Sequence, residues 1–100
     1  MSLKLNTKLV ELIKKKLNMQ IKVLHLLLRD DSYLHATHNK QAMSGNTHFF
    51  LQIISDDFIN LTLLQRHQKI NIILRQEYNE LHSLKIEALT KTEYEYKISK

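Results

Sequence analysis

The chain contains no cysteine. Disulfides are therefore excluded, packing must hold the fold, and nothing points to an oxidising compartment. The thiol nucleophile and the soft thiolate ligands used by many zinc, copper and iron–sulfur sites are missing as well. A site that needs thiolate must borrow it from another molecule. Glycine occurs once, at Gly45, too rarely for a phosphate-cradling glycine loop, and there is no Gly-x-Ser-x-Gly elbow. No apolar run approaches the ~18 residues of a membrane-spanning helix. Arginine is absent before Arg29, and Glu11 interrupts the basic N-terminal stretch. That suits a transit peptide poorly, and no signal-peptide pattern is visible. The expectations are a cytoplasmic address and no membrane.

What is present describes an ordinary domain. The 100 residues are 43% hydrophobic and 25% charged, values typical of one globular unit. A chain of this length buries about two-thirds of its unfolded surface, enough for one core but not two. The net charge of +5 gathers at one end, where Lys4, Lys8, Lys14, Lys15, Lys16 and Lys22 face only Glu11. A basic helix of this kind suits nucleic acid or an acidic protein, and also a solvated face that keeps the chain soluble.

Periodicity divides the chain. Leu5, Leu9, Leu12, Ile13 and Leu17 recur at helical steps, predicting a one-sided helix from about Thr7 to Leu17 capped by Asn6 or Thr7. Gln20 to Arg29 is apolar on both faces and reads as a strand covered on at least one side. Asp30 through Asn46 is polar and aperiodic, a loop long enough to suggest function. Phe49 to Ser55 reads as a second strand. Leu63, Leu64, Ile70, Ile73 and Leu74 mark a helix from about Thr62 to Glu77, capped by Thr62 or Asn60. A short extra turn follows over Tyr78 to Leu81. Leu84, Ile86 and Ala88 alternate with Lys85 and Glu87 in a third strand with one wet face. The core spans about residues 6–90, and residues 91–100 read as a charged, tyrosine-containing tail or a frayed helix. The expected fold is α/β (α+β), a three-stranded sheet with both helices on one face. Leu9, Ile13, Val23, Phe49, Ile53, Ile70, Leu74 and Ile86 should be buried.

Six histidines invite a metal reading, since neutral imidazole is a common ligand. His35 and His38 lie three apart in the long loop, His48 just after it, and His82 before the third strand. The spacing of the loop pair is weakly specific. His25 and His67 read as structural, with a ring nitrogen bonded nearby. Asp30, Asp31 and Ser32 offer no triad geometry, Asp31 and Ser32 read as strand-end residues bonding backbone amides, and no enzyme is expected.

The residues Asp30-Asp31-Ser32-Tyr33-Leu34-His35-Ala36-Thr37-His38 and Gly45-Asn46-Thr47-His48-Phe49 resemble the central segment of the BolA family. The likeness continues through Ile54-Ser55-Asp56-Asp57-Phe58, Leu64-Gln65-Arg66-His67-Gln68 and Glu80-Leu81-His82-Ser83-Leu84. Five pieces in the same order and spacing cover roughly residues 30–93. Three positions depart from the family pattern. Ile59-Asn60 replaces a turn that usually holds glycine, Gln68 stands for the second arginine of Arg-His-Arg, and Ser83 stands for the alanine of His-Ala.

The resemblance implies an α-β-β-α-α-β fold similar to class II KH domains. It further implies an adaptor that pairs with a monothiol glutaredoxin and shares a [2Fe–2S] cluster, in iron homeostasis or cluster delivery. In such a cluster the glutaredoxin supplies a cysteine and glutathione a second thiol. The BolA side supplies a histidine before the last strand, matched by His82, and a loop ligand, matched by His38 or His35. Imidazole in place of thiolate on one iron raises the potential, as in Rieske centres. His48 reads as framing the loop. The isolated chain is expected to be a monomer without cofactor. The alternative implied by the resemblance is a DNA-binding transcription regulator of stress response and cell shape. Its basic face would comprise Arg66, Lys69, Arg75, Lys85 and the first helix.

Overall fold

An aliphatic stripe along the N-terminal segment and the alternation in three later segments define one core. The computed structural model describes residues 2–31 and 48–99, with residues 2–7 as backbone only. The elements run α1 (Ser2–Gln20), β1 (His25–Asp30), β2 (His48–Ile54), α2 (Leu63–Ile73), β3 (Ser83–Leu89) and α3 (Lys91–Ile98). The first helix starts earlier and ends later than its apolar stripe suggests. Asn6 and Thr7 are therefore helix-interior residues, since no proline or glycine interrupts Ser2–Gln20. At the other end, Asn18 Nδ2 donates to the Lys14 carbonyl at 2.9 Å. The helix takes Gln20 from the stretch that periodicity assigns to the first strand, and β1 starts only at His25.

The sheet has the order β1-β2-β3. β1 pairs antiparallel with β2, Leu28 opposite Leu51 and Leu26 opposite Ile53. β2 pairs parallel with β3, Leu51 opposite Ile86 and Ile53 opposite Ala88. A parallel neighbour requires a crossover, which α2 provides. Phe49, Leu51 and Ile53 point to one face, where they meet Leu9, Ile13, Leu17, Ile70 and Leu74 in a single cluster. α1 and α2 thus share a face, as the stripes require. Val23 and Ile86, expected to be buried, are partly so and pack against this cluster. Leu63 and Leu64 are exposed, because the first turn of α2 projects beyond the sheet-facing stripe.

The segment read as a tail is a helix on the other face. Thr90 and Glu93 form a capping box at the start of α3, each satisfying an orphan N–H of the other. Tyr94 stacks on His25 with centroids 5.7 Å apart and planes 20° apart. Beneath it runs a polar chain across the sheet. Gln52 Nε2 donates to Glu87 Oε1 at 2.8 Å, and Gln52 Oε1 lies 3.1 Å from His25 Nε2. With the amide nitrogen on the carboxylate, the amide oxygen must accept, so His25 Nε2 carries the proton. Lys97 of α3 ion-pairs with Glu87. The Lys97 hydrogen bond first, then that of Gln52, holds the Glu87 carboxyl below the usual carboxylate range.

Arg66 closes the open edge of β3. It is 5% exposed. Its Nε donates to the Leu61 carbonyl at 3.0 Å, Nη1 to the Ala88 carbonyl at 3.0 Å, and Nη1 also to Glu93 Oε1 at 2.6 Å. One guanidinium therefore joins α2, the turn before it, β3 and α3. The short extra turn after α2 is a 3-10 turn at Glu77–Asn79, where Glu80 N–H reaches the Glu77 carbonyl at 2.9 Å.

Two outcomes follow. Asn60 takes a φ of 68°, the left-handed region that glycine occupies freely and asparagine tolerates best among other residues. Asn60 thus takes a backbone conformation that a glycine at this turn would also allow. In urea titrations Asn60→Gly should change stability by less than about 1 kcal/mol, while Asn60→Val should lower it by about 1–2 kcal/mol. The second outcome concerns Glu93, whose carboxyl is held below the usual range by the Arg66 hydrogen bond first and the Thr90 backbone second. A depressed carboxylate stabilises fully above its unfolded value, near pH 4.3, and loses that contribution as pH falls through its folded value. Its side chain is 45% exposed, so solvent screens part of the effect. Thermal melts should show Glu93→Gln destabilised at neutral pH by about 1–3 kcal/mol, through the unpaired Arg66, and less acid-sensitive between about pH 5 and pH 2.

Candidate functional site

The parallel register of β2 and β3 sets His48 opposite Ser83. His82, the residue before, consequently lies beside His48. The two imidazole centroids are 5.2 Å apart with planes inclined at 52°. Both backbones are held by neighbours. The N–H of Asp31 donates to the His48 carbonyl at 2.7 Å, carrying the β1–β2 ladder to the first residue of β2. On the other strand Leu81 is buried in the core, and β3 begins at Ser83. His82 is exposed and His48 half-buried. Fixed backbones with accessible rings are what an imidazole ligand requires before it meets its metal.

The surface next to this pair is the half of the second sheet face that α3 leaves open. Arg29, Phe50 and Lys85 stand opposite one another there. The Arg29 guanidinium lies 4.8 Å from the Phe50 ring centroid, and its Nε is 2.6 Å from Asp31 Oδ1. Among the described residues no group of three or more histidines or carboxylates is arranged to hold a metal. An ion here would need donors from elsewhere.

The other expected site residues are scattered. His35 and His38 lie outside the described residues. His67 is half-buried on α2, and His25 is bound into the polar chain under α3. Arg66 does not belong to an exposed basic face, because its guanidinium is buried and consumed by Leu61, Ala88 and Glu93. Lys69 is half-buried on α2, Arg75 is exposed just beyond it, and Lys85 is exposed on the opposite face of the sheet. These cations do not form one continuous surface. Sequence reasoning takes His48 as framing the loop and does not pair it with His82, beside which the register sets it. His48 opens β2 and His82 directly precedes β3, and the two meet only because those strands are parallel neighbours.

A profile of the BolA-like protein family matches residues 17–93. The chain is 37% identical over 86 residues to SufE-like protein 1, chloroplastic/mitochondrial, of Arabidopsis thaliana, a match covering 81% of this chain and 23% of that protein. It thus spans about a quarter of that relative's length. It is 29% identical over 85 residues to the DNA-binding transcriptional regulator BolA of Haemophilus influenzae, covering 84% and 79% of the two chains. Its fold superposes on that of BolA1 from Arabidopsis thaliana with a TM-score of 0.73 at 30% identity, over 85% of this chain and 94% of that one. The chain belongs to the BolA-like family.

Proposed function

We propose that this protein is a non-catalytic adaptor that binds a monothiol glutaredoxin and shares a [2Fe–2S] cluster with it, in iron homeostasis or cluster delivery. The observation that carries the reading is the exposed imidazole of His82 at the head of β3, braced at 5.2 Å by the ring of His48. The cluster's sulfur donors come from the partner and glutathione, as a chain without cysteine requires. His82 is the fixed imidazole ligand, and His38 or His35 supplies the second from the loop. His48 orients its neighbour, a supporting role typical of groups behind a metal ligand. Imidazole ligation raises the cluster's potential relative to all-thiolate ligation. The open face with Arg29, Phe50 and Lys85 lies where a docked partner would meet the histidines. Alone, the chain is a monomer without cofactor, and its address is cytoplasmic.

The second reading is DNA binding, the role that the Haemophilus relative is named for. The net charge of +5 favours it; the division of Lys69, Arg75 and Lys85 between two faces and the burial of Arg66 count against it. In duplex titrations Lys85→Ala should lower the salt slope by about 1 if that lysine touches phosphate. Arg66→Ala should instead lower the melting temperature.

The adaptor reading is tested by reconstitution with a monothiol glutaredoxin, iron, sulfide and glutathione, followed by visible absorption and circular dichroism. His82→Ala should abolish or strongly shift the cluster spectrum without unfolding the chain. His48→Ala should shift it less. His38→Ala should have a mild effect when His35 substitutes, and the double loop change should approach that of His82→Ala. His67→Ala should leave the spectrum intact. Unaltered spectrum and complex stability in His82→Ala would sink the assignment.

A further inference from the structure

The face of α1 that turns away from the sheet does not close fully against α2. Between the two helices runs an open groove of about 620 Å³, lined by Leu12, Met19, Ile72 and Ile73 with Lys15 and Arg75 among its walls. Met19 and Ile72 are 71% and 68% exposed, large aliphatic side chains standing in water beside each other's helix. Isolated exposed apolar residues are ordinary, but a concave apolar strip with a polar rim marks a recognition surface. The walls are braced. Lys16 Nζ donates to Glu77 Oε2 at 2.7 Å and to Gln76 Oε1 at 3.2 Å, fixing α1 to the segment after α2.

The charge of the rim identifies the occupant. Lys16 is neutralised by the buried Glu77, which leaves Lys15 and Arg75 as cations, and among the described residues no carboxylate lines the groove. A second copy of this chain, with its net charge of +5, would meet like charge. Single-stranded nucleic acid favours aromatic platforms for its bases, and this lining is aliphatic. A bilayer is bound by a projecting apolar face, and this one is concave. We infer that the groove docks an acidic amphipathic helix of a partner protein, its apolar side chains seated between α1 and α2 and its carboxylates on Lys15 and Arg75. Helix-in-groove recognition reads apolar anchors at i, i+3, i+4 and i+7, and the flexible Met19 side chain adapts to their shape. This surface is separate from the histidine pair and does not depend on the shared-cluster reading.

The test uses the full chain and a fluorescein-labelled synthetic helical peptide of about 18 residues, with leucine at those anchor positions and glutamate on the flanks. Fluorescence anisotropy should saturate in the micromolar range and weaken as salt rises from about 50 to about 300 mM. Met19→Ser and Ile72→Ser should each weaken binding about tenfold. Lys15→Glu with Arg75→Glu should do the same and should restore binding to the peptide carrying lysine in place of glutamate. Lys16 is left unchanged because Glu77 depends on it, and all four substituted side chains are exposed, so melting curves should stay unaltered. No saturation by about 1 mM, or affinity indifferent to these substitutions, overturns the inference. So does self-association, or capture of single-stranded DNA or phosphatidylserine vesicles, that Ile72→Ser abolishes while the acidic peptide fails to bind.

Discussion

Parallel pairing of β2 with β3 is the constraint on which the rest of the molecule depends. Two sequence-adjacent strands cannot run parallel through a tight turn, so the chain must cross over, and α2 is that crossover. Crossing on the core side lays Ile70 and Leu74 against Phe49, Leu51 and Ile53, beside the stripe of α1. The same register sets the two strand heads level, which brings His82 to His48. Core and candidate site are thus two results of one pairing.

A parallel edge strand leaves backbone groups unpaired, and the molecule answers with one buried guanidinium. Arg66 takes the Ala88 carbonyl and hands its remaining charge to Glu93 at the start of α3. A residue whose type suggested nucleic acid is therefore a structural tie. Burial of a cation costs less when its hydrogen bonds and counter-charge are complete, and here the neighbouring elements supply both. α3 is in turn held over the second face by Tyr94 on His25 and by Lys97 on Glu87. Among the described residues α3 covers only one end of that face, and none covers the end beside the histidines, where Phe50 stands between Arg29 and Lys85.

The two recognition surfaces proposed for the molecule lie on different layers. The histidine pair belongs to the sheet and is fixed by backbone pairing, which suits a ligand that must keep its place while a cluster arrives and leaves. The groove between α1 and α2 belongs to the helix layer, where aliphatic side chains and a basic rim suit a peptide helix. Their separation allows one partner to occupy the groove while another meets the histidines.

The sequence by itself determined the element types and most of the core, because periodicity is a local property: stripes of 3.6 and 2 residues declare which side chains share a face. Leu9, Ile13, Ile70 and Leu74 were legible for that reason, and Thr62 was one of the two caps read for α2. The full length of α1 and the helical state of Lys91–Ile98 were less so. Both depend on residues without an apolar stripe, held by hydrogen bonds, capping and stacking against other elements. The fate of charged and titratable side chains was decided only by the tertiary structure. Whether an arginine meets solvent or a carbonyl, and whether two histidines 34 positions apart in number touch, depends on strand direction and register, and these are settled by contacts between residues distant in sequence.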